Sequence, residues 1–586
     1  MPPPPPGPSP SPGPDQVVAA VAAVAVVVIG HQDAAHVTDA VRSALAQGPA
    51  VGEVVAVDDG STDGSADLLD RLAGTDPRLT VLRRPVNSGG CGTPRNTGMD
   101  AVTSPYLMFL DSDDVLPPGA VDALLAAAVE ERAEVAGGLC VRRELPAGRD
   151  VPWQPALYAA RAVVARPALR PRLVHDTLCV NKLYRTAFLR EHGIRFPEGR
   201  FRYEDFVLTA RVLAADPRVA LVPDPVYVWH VRRSAETLSI SLDRADVGNW
   251  RDRTHACRTA YDILLAAGQK ELARAARAKF LDHELRMYAR ELGLRDVRYQ
   301  RAWWAHTRAY LAEYDAADWT RAPTAPGRLI GRVVLACAEP RDLPRLRDLA
   351  ARPARLLAPY ARAPDTTPVW ADDLPQVTLE PLLTRPVPLL PLAVDAELSP
   401  RVRDTRLRLR LRLRLRLRLR LYELYGRVAA AGPETVEAEW RRREDGRVRA
   451  LRTALFAPPE PGTPPGAPPE APSGTPPGTT SDAAGADGPV WRAETGVALT
   501  GPDGLGPGTW DLRLLLRFRD GSRREVTAHA RTGAGRLRRR ALPSARHAIV
   551  LVQPYATHSG ALALRVAPGV RGVAAVVRGR LRRLLH

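Results

Sequence analysis

The spacing of apolar and polar positions divides the chain into regions of different period. From residue 17 to about residue 220, short β-branched runs alternate with helical stretches, the pattern of βαβ units feeding a largely parallel sheet. Strands are predicted at VAVVVIG (24–30), GEVVAVDD (52–59), LTVLRR (79–84), YLMFLDSDD (106–114) and VALVPD (219–224). Between them, 33–47, 65–72, 95–101 and 118–132 carry helical periodicity or helix-start chemistry. The apolar run 17–29 is too short to cross ~30 Å of hydrocarbon. A proline-rich stretch with Asp15 stands where a secretory signal has its basic flank, so the run reads as a buried first strand.

Beyond the sheet region the period lengthens. Residues 245–320 carry long helical patterns in which Trp250, Tyr261, Phe280, Leu285, Tyr288, Trp303, Trp304 and Tyr310 are expected to be buried. No catalytic constellation appears there, and a helical extension is the expectation. From 406 to 421 arginine and leucine alternate without interruption, which places every leucine on one face of a strand; expansion of a two-codon repeat would give the same pattern. The segments 509–521, 547–555 and 561–568 alternate between turn residues as strands of a β-sandwich do. The expected organisation is a disordered Pro-rich tail over 1–16, an α/β domain over 17–240 and the helical extension over 241–365. A β-rich region over 366–456, a Pro/Gly-rich linker over 457–489 and a second β-rich region over 490–586 complete it.

Length supports this division, since 586 residues exceed what one core organises. A net charge of +18 would ordinarily point to nucleic acid or an anionic membrane surface. Lys182, Lys270 and Lys279 are the only lysines, however, so the excess is almost wholly arginine, as GC-rich coding alone can produce. The arginines form no helix-turn-helix and no interleaved aromatic platform, which argues against nucleic acid. Cys91, Cys140, Cys179, Cys257 and Cys337 are far apart and lack CxxC or Cys/His spacing. Neither a disulfide framework nor a zinc site is indicated, and a reducing cytoplasm fits best.

Four clusters carry candidate chemistry. In VVAVDDGSTDGS (54–65) a strand runs into aspartates at its carboxyl end, where α/β sheets bind ligands. Asp58 or Asp59 can accept a pyrimidine N–H, while Ser61, Thr62 and Asp63 can cap the following helix. In NSGGCGTPRNTG (87–98) glycines such as Gly90 permit close backbone approach. Asn87 and Asn96 offer amides there, and Arg95 a charged donor for phosphate or ribose; the Lys-Ser/Thr ending of a P-loop is missing. In YLMFLDSDDVLPPGAV (106–121), Asp111 and Asp113 are two apart and can hold one hard divalent cation against a diphosphate. In RFRYEDFVLTARVLA (200–214), Glu204 and Asp205 precede an amphipathic helix, and one of them can take a proton from an acceptor hydroxyl.

In this order and at these intervals, VDDGSTD, NSGGCGTPRNTG, DSDD and YEDF resemble the family 2 GT-A glycosyltransferases over about residues 22–240. The resemblance implies a GT-A (Rossmann-like) nucleotide-sugar domain, with Asp59 contacting the nucleoside of a UDP-sugar. Asn87, Gly90, Arg95, Asp111 and Ser112 would line the nucleotide sugar, with Asp111 and Asp113 binding Mg²⁺ or Mn²⁺. Asp205, with Glu204 beside it, would be the inverting catalytic base. YVWHVRRSAETLS (227–239) matches an aromatic and basic stretch over the diphosphate, implying His230 and Arg232 and, more weakly, Arg233. Gly30-His31-Gln32-Asp33 departs from the Pro-x-Tyr-Asn of most relatives and bears on the base and ribose contacts.

The implied reaction is metal-dependent hexosyl or N-acetylhexosaminyl transfer to a hydroxyl of a glycan or anionic polymer. The helical segment followed by β modules is similar in arrangement to bacterial enzymes that glycosylate wall teichoic acid. Association with the inner face of the membrane and homo-oligomerisation through the C-terminal region are expectations of that likeness. The competing reading keeps the fold as a nucleotide-sugar-binding protein or a nucleotidyltransferase.

Overall fold

The computed structural model describes residues 23–146, 148–232, 244–321, 325–357, 360–400, 414–459, 489–499, 504–531, 537–544 and 548–568. The 1–16 tail, the first half of the Arg-Leu run, nearly all of the 457–489 linker and Arg233 lie outside them. The chain forms two compact units, one from Met1–Glu284 and Asp296–Pro323, the other from Leu285–Arg295 and Thr324–His586. The helical region 241–365 therefore contributes to both.

The first unit is built on a nine-stranded mixed sheet. Its strands are β1 (Val24–Gly30), β2 (Val51–Asp58), β3 (Leu79–Arg83), β4 (Tyr106–Asp111), β5 (Val135–Leu145), β6 (Arg149–Pro152), β7 (Ala162–Val164), β8 (Lys182–Arg185) and β9 (Val219–Arg232). The order is β3-β2-β1-β4-β8-β5-β9-β7, with β6 beside β5. The four strands at the β3 end run parallel, joined by crossover helices α1 (Val37–Leu45), α2 (Ser65–Ala73) and α3 (Gly92–Ala101). Helix α4 (Ala120–Glu130) follows β4. Chain order reverses between β1 and β4, and ligands bind α/β sheets at the carboxyl ends flanking such a reversal.

The sequence explains the placement. Val24, Val26 and Val27 of β1 are fully buried because β2 and β4 flank the strand and helices cover its faces, each contributing roughly 1.5 kcal/mol or more. On α1, Val37, Ala40, Val41 and Ala44 are buried at the i, i+3, i+4, i+7 spacing of one helix face. Helix α3 starts at Gly92, earlier than the sequence pattern indicates, because Pro94 is tolerated in a first turn where its missing N–H costs nothing. Strand β4 ends at Asp111 rather than 114, and β9 runs through Pro223 and Pro225 to Arg232. Both prolines sit at a register irregularity between β5 and β9, where ladder bonds are already interrupted.

Four further helices matter for the site: α5 (Thr186–Glu191), α6 (Glu204–Ala214), α7 (Val247–Ala266) and α8 (Lys270–Lys279). Trp250 of α7 is fully buried and stacks on Trp303 at 5.4 Å. Tyr261 is only half-buried, its ring lying under the Arg277 guanidinium at 3.6 Å.

The second unit contains two larger antiparallel-rich sheets. In the first, Arg414–Tyr422 lies between Val394–Pro400 and Val490–Ala498. Leu415, Leu417, Leu419 and Leu421 are buried, while Arg416 and Arg418 point away and pair with Glu494. In the other sheet Gly508–Phe518 pairs with Pro433–Arg442 and Leu562–Pro568. No helix among the described residues is long and apolar enough to cross a membrane.

Candidate active site

The carboxyl ends of β1, β2 and β4 converge in register, Gly30 opposite Asp58 and Ile29 opposite Asp111. Gly30 is required at this edge because a Cβ there would lie 2.7 Å from both Cβ and Oγ of Ser112. That closeness lets Ser112 Oγ donate to Asp33 Oδ2 at 2.7 Å. Ser112 is buried in this contact, its hydroxyl proton directed at Asp33.

After β2, Asp58 and Asp59 play different parts. Asp59 Oδ1 accepts from Arg84 Nε at 2.8 Å, and Oδ2 accepts from Ser88 N (3.0 Å), Ser88 Oγ (2.7 Å) and Asn87 Nδ2 (3.1 Å). Asp59 and Asn87 thereby join the DDGS and NSGG loops, and Gly60, at φ +73°, passes where a Cβ would sit 2.6 Å from Asn87 N. Asp58 Oδ2 accepts from Ser61 N at 3.0 Å, whereas its buried Oδ1 has no hydrogen-bond partner among the described residues. Ser61 and Thr62 bond Gln32, and the residue before α2 is Gly64, so neither caps that helix; Asp63 alone accepts from Ser65 N.

The NSGG loop packs closely. A Cβ on Gly90 would lie 2.6 Å from Gly199 O, so the glycine there admits backbone from 199–201. Asn96 Nδ2 and Oδ1 bond the backbone of Phe196 at 3.0 Å each, which fixes the approach to α6.

Arg95 departs furthest from its expected role as a phosphate or ribose donor. It is 2% exposed and spans three carboxylates, with Nη1 2.6 Å from Glu204 Oε1 and 3.1 Å from Asp205 Oδ1, and Nη2 2.7 Å from Asp111 Oδ1. A buried guanidinium needs such neutralisation. The contact draws the end of β4 and the head of α6 together.

Burial shapes the protonation of the pair. It pushes Glu204 up to about 7 despite the Arg95 charge, with the Asp205 charge adding to the rise. Asp205 is also raised, by burial first, against the pull of Arg95. A carboxylate held above its ordinary range is a better proton acceptor near neutrality. Tyr203, before Glu204, sits at φ +64°, a left-handed conformation that costs a bulky residue about 1–3 kcal/mol.

The DSDD segment leaves the sheet at Asp111, so a turn rather than strand alternation brings Asp113 near it. Partial burial and then the charges of Asp111 and Asp33 raise Asp113 to about 6. Asp114, which the sequence pattern did not single out, is buried and braces the turn: Tyr227 Oη donates to Oδ2 and His230 N to Oδ1, each at 2.7 Å. His230 Nδ1 lies 3.1 Å from Asp113 O, and Arg232 Nη1 reaches Asp113 O (3.0 Å) and Oδ2 (3.2 Å).

Among the described residues no three His, Cys, Asp or Glu side chains form a metal-holding group. Asp111 and Asp113 are each partly exposed, and their mutual repulsion is what a cation would relieve. Mg²⁺ is commonly held by one or two carboxylates completed by substrate phosphates and water, and this donor pair fits that pattern.

Residues 25–193 match the sequence profile of Glycosyl transferase family 2. Over 261 residues the chain is 29% identical to Succinoglycan biosynthesis protein ExoO of Rhizobium meliloti (strain 1021), covering 43% of this chain and 73% of that protein. Over 187 residues it is 30% identical to Poly(ribitol-phosphate) beta-N-acetylglucosaminyltransferase TarS of Staphylococcus aureus (strain Mu50), covering 32% of this chain. That match spans only 31% of the relative's length. The crystal structure of S. aureus TarS aligns over 93% of this chain and 85% of its own, at 17% identity and a TM-score of 0.49. The chain thus resembles the family 2 glycosyltransferases and those of the teichoic-acid type.

Proposed function

We propose that this chain, whose residues 25–193 match Glycosyl transferase family 2, is an inverting glycosyltransferase acting on a nucleoside-diphosphate sugar. The acceptor is a hydroxyl of a cell-envelope polysaccharide or teichoic-acid-like polymer, and the donor a UDP-hexose or UDP-N-acetylhexosamine. One observation carries the reading: Arg95 holds Glu204, Asp205 and the strand-end Asp111 within 3.1 Å of its nitrogens. Proton-accepting carboxylates therefore stand beside the carboxylates suited to a diphosphate-bound cation. The 30% identity to a poly(ribitol-phosphate) N-acetylglucosaminyltransferase supports the donor and acceptor classes.

In this mechanism Asp205 accepts the proton of the acceptor hydroxyl. The freed oxygen forms a bond to the anomeric carbon from the face opposite the diphosphate, whose own bond to that carbon breaks, and the configuration inverts. Glu204 shares the Arg95 guanidinium with Asp205 and sets its orientation. Asp111 and Asp113 would hold Mg²⁺ or Mn²⁺, which when bound neutralises charge on the diphosphate. Arg232 fixes the Asp113 turn from the β9 side. Asp59 and Asn87 shape the nucleoside end by tying its two loops together, and Asp58 Oδ1 is a buried carboxylate oxygen with no hydrogen-bond partner among the described residues. The cytoplasm is the compartment proposed for the reaction.

The test is an assay of nucleotide sugars against poly(ribitol phosphate) and succinoglycan-type acceptors. Release of nucleoside diphosphate matched by sugar incorporation is expected. Pyrophosphate formed from a sugar phosphate and a nucleoside triphosphate would instead make the chain a nucleotidyltransferase.

A further inference from the structure

The helices that follow the nucleotide fold grip the head of α6. Tyr203 Oη donates to Asn249 Oδ1 of α7 at 2.6 Å. The Arg253 guanidinium, one turn further along α7, lies 4.5 Å over the Tyr203 ring and 5.4 Å over the Phe206 ring. Lys279 of α8 places its Nζ 4.2 Å over Phe206. Both cations pair with the fully buried Glu284, Arg253 Nε at 2.6 Å from Oε2 and Lys279 Nζ at 3.0 Å from Oε1. Tyr203 and Phe206, so held, bracket Glu204 and Asp205 in sequence, and their rings lie 5.6 Å apart.

Tyr203 is the residue at φ +64° and the one from which α6 starts. A change in that one dihedral would swing the first helical turn, and with it the carboxylates that meet Arg95. Nothing within Tyr203 favours the left-handed conformation, since it is neither glycine nor asparagine. The contacts from α7 oppose its relaxation.

We propose that Asn249 and Arg253 are positioning residues: by holding Tyr203 in its left-handed conformation they aim Glu204 and Asp205 at the reacting centre. The helical extension then has a part in turnover beyond covering the sheet. This inference rests on the proton-accepting role proposed for the pair.

The test compares Tyr203→Phe, Asn249→Ala and their double variant in sugar transfer, with donor KM, kcat and melting temperature measured for each. Tyr203→Phe keeps the ring under Arg253 and removes only the hydroxyl, so it is the variant most certain to fold. Each single change is expected to lower kcat about tenfold with donor KM within twofold. The double variant should be no slower than the slower single, because both remove one hydrogen bond. A crystal structure of Asn249→Ala gives a readout independent of activity, in which Tyr203 should leave φ +64° and Asp205 Oδ1 should move away from Arg95. Unchanged kcat in both singles, multiplicative losses in the double, or an unmoved Tyr203 and Asp205 would overturn the proposal. If the wild-type chain transfers no sugar while the variant structure shows the shift, the positional link stands and the functional reading fails.

Discussion

Arg95 Nη1 lies 2.6 Å from Glu204 Oε1, joining residues 109 positions apart through one buried contact. The same guanidinium bonds Asp205 and Asp111, so a single cation fixes the relation between the end of β4 and the head of α6. Removing it would leave carboxylates facing one another in a poorly solvated place.

Arg95→Met should therefore cost about 3–5 kcal/mol of folding stability, the range for breaking a buried pair from one side. Urea unfolding checks this. Adding Asp111→Asn to that variant should restore part of the loss, because it removes one of the unneutralised charges.

Stability should depend on pH through Glu284. Arg253 and Lys279 hold its carboxyl far below the ordinary glutamate value of 4.5, outweighing its burial. A depressed folded value means that this contribution is fully present above pH 4.5 and is lost as pH falls toward the folded value. Glu284→Gln should thus be less stable than the parent by about 3 kcal/mol at pH 7, and the gap should close steadily below pH 4.5. Denaturant unfolding across pH 3 to 7 measures it.

Gly98 of α3 packs against β1, and a Cβ there would lie 2.3 Å from Val27 Cγ1. Alanine gains about 1 kcal/mol over glycine in helix propensity, but overpacking a core costs about 1–3 kcal/mol. A backbone-anchored Cβ against a branched side chain gives little room to yield, so Gly98→Ala should destabilise. Val27→Ala in the same chain should recover part of that loss, as thermal unfolding will show.

Much of the fold that positions the candidate site is legible in the sequence. The strand and helix periods located β1 to β4 within a few residues, because half of the sheet is built from local βαβ units whose pattern is written in adjacent residues. The DSDD and YEDF clusters were visible as acidic runs at element ends. What was hidden depends on distant partners. Arg95 resembled a phosphate donor because nothing in 87–98 reveals that Glu204 and Asp205 would arrive beside it. Asp114 looked like one more member of an acidic run until Tyr227 and His230 met it. Tyr203 gave no signal, since a left-handed tyrosine follows from packing by α7 and not from its own preference.

Transfer should require a divalent cation. Chelation should abolish it and Mn²⁺ or Mg²⁺ should restore it. Asp113→Ala should weaken donor binding with Mn²⁺ present and leave cation-free binding unchanged, which calorimetry with and without Mn²⁺ resolves.

The most direct test of the account is turnover by Asp205→Asn, measured alongside its affinity for the donor nucleotide sugar. Loss of a general base lowers rate by about 10² to 10⁴, so transfer should fall by that factor while donor affinity stays within a fewfold of the parent. Full turnover in this variant would contradict the assignment of Asp205 as the group that receives the acceptor's proton.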